Sequence, residues 1–536
     1  MHGQWRTRLK SLFLAVGTCL AMLATAAPAV KAEEAPRLVI ALSSPIDTLD
    51  PHAHFDTRRA GIRLQLYDGL FRWQGSPLRI APWLAQSYTV SEDGRTFRFT
   101  LRKNARFHDG REIRSADVVY SAERALALKR GMAPLLSGLI SPGSTKAIDP
   151  QTVEFSLNRA SPLFLALLPE LSIVNSELLK ANEINNDWGR AWLQSNDAGS
   201  GGYTFKQRTP VGSVVAARFE GHWNPSWSER PIDEVEWRPM LDPEARIAAL
   251  TRGDVQVLEG TYSPSDLSRL RQARGITFLE SDTPRAFFGL LHNAREPMKM
   301  PAFRKLLAQA FDASWFISST LGEGATPLTI PIPPALASPP AGLNPPRYDL
   351  AAARDALAEL KLQQTPELVI GAIAGDPHSE RAALIMLDGL NKLGIPARIM
   401  SEPWPVVANR MRDEKQMYDI LFLWRGARYL DANNWIGEMF NCDLFGAGNA
   451  SWHCNREADR LIKEAQGAAD PKARRDAFEK AAALLAEDYA ALFIASATRP
   501  IIHSKTVKGL QISPVGEAIE IRAATIERAN VGKVDK

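Results

Sequence analysis

Cysteine is scarce in this sequence, with three in 536 residues, at positions 19, 442 and 454. Long apolar runs are missing beyond the first thirty residues, so the remainder reads as a chain without a membrane span. No block of Lys or Arg stands out, which removes the case for a nucleic-acid partner. No internal repeat or low-complexity tract is present. The phosphate-cradling pattern G-x-x-x-x-G-K-[ST] is absent, so this chain hydrolyses no nucleotide of its own. The glycine-rich run at Gly199, Gly201 and Gly202 is followed by no Lys-Ser/Thr, and its serine lies outside G-x-S-x-G. No local motif supplies a nucleophile, base and orienting acid, and an enzyme is not expected.

What is present begins with an export signal over residues 1–32. Arg6, Arg8 and Lys10 form a basic start, an apolar stretch runs from 12 to 27, and Val30-Lys31-Ala32 offers a small-residue cleavage site. Arg6 and Arg8 are not adjacent, so the signal is not of the twin-arginine type. Thr18 before Cys19 is a poor lipoprotein context. The whole chain carries a formal charge of +4, and this segment holds four basic residues and no acid, so the remainder is balanced. Roughly 500 residues are left, too many for one core, and two or three domains are expected. Cys442 and Cys454 then form an even pair in an exported chain, which reads as a disulfide. The alternatives are two free thiols, or a two-cysteine metal site with only His453 nearby.

The clearest local pattern spans residues 83–124. Phe97, Phe99 and Leu101 alternate with Thr96, Arg98 and Thr100, the period of a strand with one buried face. Asp93-Gly94 and Asp109-Gly110 supply turns. Ser115 is placed to cap a helix with Asp117 in its first turn and Val119, Ala122 and Leu126 on its apolar stripe. The order Ser91-Glu92-Asp93-Gly94, Thr96-Phe97, Phe107-His108-Asp109-Gly110, Ala116-Asp117-Val118-Val119-Tyr120 and Glu123-Arg124 resembles the signature of extracellular solute-binding proteins of family 5. These are the periplasmic dipeptide-, oligopeptide- and nickel-binding proteins of ABC importers. In that family the segment is a structural module, and it speaks for the fold before it speaks for the ligand.

The resemblance extends along the chain. Leu49-Asp50-Pro51-His52 matches the family's L-D-P-H, and Tyr67-Asp68-Gly69-Leu70 its Y-D-G-L. Asp50, His52, His54 and Asp56 are metal-ligand types at loop spacing, but the L-D-P-H pattern also lies in metal-independent members, so no metal is expected. Residues 197–205 are similar to the family's G-T-G-P-Y-x-F, with Gly202 where proline is usual. Asp349 and Asp376 read as helix caps. The first of these helices presents Ala352, Ala356, Leu357 and Leu360, and the second presents Ala382, Met386 and Leu390 before Gly394. With strands at 368–370 and 397–399 they imply a partly parallel sheet.

The implied fold is α/β, periplasmic binding protein type II-like, with two lobes and three domains joined by a hinge. Expected bounds are 1–32 signal peptide, 33–78 domain I, 79–198 domain II, 199–283 domain I again, 284–504 domain III and 505–536 domain I. The two crossings fall near Asp282 and near residue 505. The implied function is the periplasmic solute-binding component of an ABC importer, a monomer without cofactor. It would take a small-molecule or peptide ligand and deliver it to permease and ATPase subunits in the inner membrane. An exported hydrolase, or a chemosensory or chaperone protein on the same fold, is the alternative.

The ligand wall is read from residues 419–436, which resemble the family's W-x-A-D-Y-x-D-P-x-N-F-L. In peptide-binding members the acid of that pattern pairs with the peptide's free ammonium; here Arg428 stands in its place, between Ala427 and Tyr429. An arginine there repels an ammonium and offers a rigid fork of donors to a carboxylate or phosphate. The substitution therefore points to anionic solutes: opine-like compounds, acidic sugar derivatives, or peptides with a blocked or reversed end. Arg425 is placed to help. The alternative is that Arg428 pairs with a protein acid such as Asp431. Ser43, Ser44, Arg285, Trp424, Gly426, Tyr429 and Asp431 complete the candidate ligand-binding set.

Overall fold

The computed structural model describes residues 37–54, 59–74, 79–224, 226–280, 285–322, 324–362, 366–429, 431–468, 470–513 and 518–527. The export signal, Asp56 and Asp282 lie outside the described residues.

Three sheets organise these residues. The first has seven strands, with Arg37–Leu42 near its centre. That strand pairs in parallel with Glu234–Pro239 on one side and Val257–Leu258 on the other. Leu38 and Ile40 enter one core with Trp237, while Val39 and Ala41 enter another with Ile247 and Leu258. Both faces are covered, so its sequence is a continuous apolar run and not an alternation. Ile501–Ser504 also pairs into this sheet, against Val257–Leu258 and Ile276–Leu279. These four residues precede residue 505, where the sequence-based boundary was drawn.

The second sheet has six strands in the order Thr326–Pro327, Ala491–Ala497, Arg285–Leu291, Ile420–Gly426, Leu368–Ile373, Ala397–Glu402. It is partly parallel, as the strand-helix-strand pattern predicts: Leu368–Ile373 runs parallel to both Ala397–Glu402 and Ile420–Gly426. The connecting helix Pro377–Lys392 starts where Asp376 accepts a hydrogen bond from the Ser379 N–H (3.3 Å) and buries Ala382, Met386 and Leu390. In the helix Leu350–Glu359 the deeply buried residue is Ala353, one position from the expected Ala352, while Ala356, Leu357 and Leu360 pack partly.

The third sheet has four antiparallel strands, with Thr96–Leu101 between Ala85–Val90 and Thr152–Ser156. Phe97, Phe99 and Leu101 are buried and Arg98 and Thr100 exposed, as the alternation requires. The following helix, Ser115–Leu128, has Arg114 and not Ser115 at its N-cap position, and no side chain there caps it. The Asp117 carboxylate accepts from the Arg114 N–H (2.9 Å), and the Ser115 hydroxyl turns away to donate to the Asp149 carbonyl. The buried stripe is accordingly Val118, Ala122 and Ala125, with Leu126 at its edge and Val119 half-exposed.

Polar contacts tie the modules together through the residues that carry the resemblance. Arg124, fully buried, donates to both oxygens of the equally buried Asp50 at 2.8 Å, to His52 Nδ1 at 3.1 Å and to the Trp188 carbonyl at 2.8 Å. His52 Nε2 then donates to the Ser172 carbonyl at 2.9 Å. Asp68 accepts from Trp83 Nε1 (2.6 Å) and the Ser200 hydroxyl (3.1 Å). The glycine run after Asp197 allows close backbone approach: a Cβ on Gly199 would lie 1.9 Å from the Leu66 carbonyl oxygen. A disulfide joins Cys442 and Cys454, with Cα atoms 5.1 Å apart. Among the described residues no helix is long and apolar enough to cross a membrane.

Candidate solute-binding cleft

Parallel strands place their carboxyl ends on one edge, where the backbone leaves the sheet and side chains converge. Ser43 and Ser44 follow the end of Arg37–Leu42, and Glu259 and Thr261 follow Val257–Leu258. From the second sheet, Asp376 follows Leu368–Ile373, and Trp424 and Gly426 end Ile420–Gly426. Arg285 opens the antiparallel strand beside it and Arg499 lies in the crossing back to the first sheet. These residues line one compartment between the two sheets. A second, larger compartment shares Trp424 and Gly426 with it and adds Trp404, Arg412, Arg425 and Arg428. Its far wall is Gly446, Ala447 and Gly448, from the loop that the disulfide closes.

The sequence-predicted residues divide. Ser43, Ser44, Arg285, Trp424, Arg425, Gly426 and Arg428 all line the cleft. Tyr429 and Asp431 do not. The Tyr429 ring is fully buried in the core under the four-stranded sheet, and its hydroxyl donates to Glu438 Oε1 at 2.6 Å. Asp431 accepts from both the Asn433 N–H (2.8 Å) and the Arg474 guanidinium (2.8 and 2.9 Å), which pins the turn that follows. Asp431 is therefore not the acid beside Arg428. That acid is Glu438, buried at 2 % exposure, which pairs with both Arg425 and Arg428. Arg425 also donates to the Asn434 carbonyl (2.9 Å), and Asn434 returns a hydrogen bond to the Gly426 carbonyl (3.1 Å), so the wall is braced from behind.

Charge is distributed unevenly. The smaller compartment holds two arginines, Arg285 and Arg499, against Glu259 and Asp376. The larger is lined by three arginines and, among the described residues, by no carboxylate. Glu438 lies behind the wall and pairs with both guanidinium groups. Glu170 has its pKa raised by burial, an effect that Arg63 and Arg428 oppose. The Arg285 guanidinium lies 3.9 Å over the Trp424 ring, a stacked cation–π pair.

Sequence reasoning missed Glu438, Arg412, Trp404, Asp376 and Arg499. Glu438 carried a signal: it is the one charge in the otherwise apolar stretch from Trp435 to Phe440, and a buried carboxylate needs a partner. The others reach the cleft only through the sheet topology. His52 and His54 are engaged with Arg124 and Ser172, and with Asp47 (3.0 Å), respectively. Among the described residues no group of three metal-ligating side chains is assembled.

The model of bacterial extracellular solute-binding proteins, family 5 matches residues 79–446. The chain belongs to this family. A dipeptide-binding protein of Escherichia coli (strain K12) is 25% identical over 482 residues, covering 84% of this chain and 87% of its own. The probable D,D-dipeptide-binding periplasmic protein DdpA of the same strain is 26% identical over 494 residues, covering 90% and 92%. Among solved structures, the Helicobacter pylori periplasmic binding protein DppA in complex with the peptide STSA superposes with a TM-score of 0.82 at 21% identity over 92% of this chain and 98% of that one. AgaA from A. tumefacien R10, in complex with agropinic acid, superposes with a TM-score of 0.81 at 23% identity over 92% and 99%. The two-lobe type II-like fold is thereby shown, and family 5 membership makes the protein a solute-binding protein of the ABC-importer class. The matched relatives are binding proteins of transporters, which favours that reading over an exported hydrolase.

Proposed function

We propose that this family 5 protein captures a small anionic solute in the cleft between its two large sheets and delivers it, in the periplasm, to the permease of an ABC importer. The lobes close over the solute by hinge motion at the two crossings. Export by the segment 1–32 and the domain bounds near 79, 199 and 284 belong to the same reading. The observation that supports it is the lining of the larger compartment, which among the described residues holds Arg412, Arg425 and Arg428 and no carboxylate, with Glu438 pairing Arg425 and Arg428 from behind. A free peptide ammonium set beside Arg428 would meet repulsion worth several kcal/mol. A carboxylate there gains charge-assisted hydrogen bonds from planar donors. Trp404 and Trp424 supply flat apolar surface for the rest of the molecule. Opine-like compounds, acidic sugar derivatives and peptides blocked at the amino end share this chemistry.

The test is thermal unfolding of the full chain against agropinic acid, mannopinic acid, sugar acids and ordinary dipeptides. A ligand at one hundred times its Kd adds about 2.7 kcal/mol, a shift of a degree or more in a chain of this size. Anionic compounds are expected to raise the midpoint and dipeptides with a free amino end to leave it unmoved. Arg428→Ala is expected to abolish the response. Dipeptides that stabilise the wild type and the Arg428→Ala variant alike would overturn the proposal.

A further inference from the structure

His378 sits behind the cleft in the first turn of the helix Pro377–Lys392, buried between the two lobes. Its Nδ1 accepts the indole N–H of Trp424 at 3.1 Å. Its Nε2 faces the backbone carbonyl of Tyr262 at 3.1 Å, on the segment that leaves the first sheet after Val257–Leu258. An indole nitrogen only donates and a carbonyl only accepts, so both partners dictate one form: neutral imidazole with its proton on Nε2. Neighbouring contacts bring the same two lobes together. The Thr261 hydroxyl lies 3.5 Å from Asp376 Oδ2, and a Cβ on Gly375 would fall 2.3 Å from the Leu241 carbonyl oxygen.

We infer that His378 is a positioning residue for solute capture: it fixes the Trp424 indole, and the Arg285 guanidinium stacked on it, to the Tyr262 carbonyl of the opposite lobe. The aromatic wall of the site is then set only while the lobes hold this arrangement, so capture and lobe juxtaposition reinforce each other through one imidazole. Protonation would place a second N–H against the indole N–H and break the relay. Burial pushes the His378 pKa down to about 4, with Arg285 opposing protonation and Asp376 on the same helix favouring it. From the first lobe, Arg246 donates to the Tyr262 hydroxyl at 2.9 Å, and Arg499 and Glu259 also act on that tyrosine.

The inference rests on the cleft being the solute site, and its test has one arm that needs no solute. In the full chain labelled with ¹⁵N-histidine and ¹⁵N-tryptophan, the Trp424 indole signal is the one lost in Trp424→Phe. His378 is expected to report the Nε2–H tautomer at pH 7, and the indole signal to move with a midpoint near pH 4 while far-UV circular dichroism stays native. In His378→Asn, which keeps an acceptor near the Nδ1 place, the signal should stay in its shifted position but lose that titration. The second arm measures affinity for agropinic and mannopinic acid. His378→Ala should weaken binding at least tenfold and His378→Asn should recover most of it, whereas Arg428→Ala should weaken binding without moving the indole signal. If neither acid binds the wild type, the anionic-solute proposal fails while the first arm still decides the role of His378. An Nδ1–H tautomer, or an indole signal unchanged in His378→Ala, would overturn the inference.

Discussion

The buried pair Asp50–Arg124 gives the most direct test of how this fold is held. Both side chains are fully enclosed, and the guanidinium makes four hydrogen bonds of 2.8 to 3.1 Å to Asp50, His52 and the Trp188 carbonyl. Arg124→Met removes all four and strands a carboxylate with no access to water. Breaking one side of such a pair costs about 3–5 kcal/mol, against about 0–1 kcal/mol for an exposed ion pair. Asp50→Leu together with Arg124→Met removes the stranded charge as well, so the double variant should be less destabilised than the sum of the singles by about 1–3 kcal/mol. Urea unfolding followed by both tryptophan fluorescence and circular dichroism gives these differences, provided the two probes coincide. Burial raises the Asp50 pKa and Arg124 more than offsets it, leaving the net shift downward. Its stabilising contribution is therefore present above the ordinary carboxylate range, near pH 4, and is lost as pH falls through the depressed value. If Arg124→Met costs no more than about 1 kcal/mol, or if the two variants simply add, the pair is not the anchor described here.

Two further predictions follow from other contacts. His108 places both ring nitrogens on acceptors, Asp197 Oδ1 at 2.6 Å and the Gly201 carbonyl at 3.1 Å; burial disfavours its charge, but the carboxylate prevails and its pKa is raised. Stability should thus be fully present below about pH 6.5 and decline as pH rises through the raised value, a slope that His108→Gln should lack and that parallel pH profiles would disprove. The disulfide closes a short loop whose Gly446, Ala447 and Gly448 line the cleft. Cys442→Ser with Cys454→Ser should cost about 3 kcal/mol in the chain-entropy model and also weaken solute binding, and an unchanged urea midpoint would contradict this.

The sequence by itself determined the local elements and the family. Alternation fixed the Thr96–Leu101 strand, aspartates before Leu350–Glu359 and Pro377–Lys392 fixed those helix starts, and the run after Arg37 marked a strand buried on both faces. Seven of the nine candidate ligand residues line the cleft, those from Trp424 to Arg428 having been read from the family register around Arg428. The helix start at Arg114 was not legible, since Ser115 is the better capping residue by type and only the nearby Asp149 carbonyl draws its hydroxyl away. Nor were the pairings of Asp431 with Arg474 and of Glu438 with Arg425 and Arg428, which depend on which charges the folded chain encloses together. Tertiary structure alone decided that strand ends separated by hundreds of residues share one edge. That convergence puts Ser43, Thr261, Asp376, Trp424 and Arg499 around one space, with His378 behind them joining the lobes. Periodicity and capping act over a few residues, whereas this arrangement follows from long-range strand pairing.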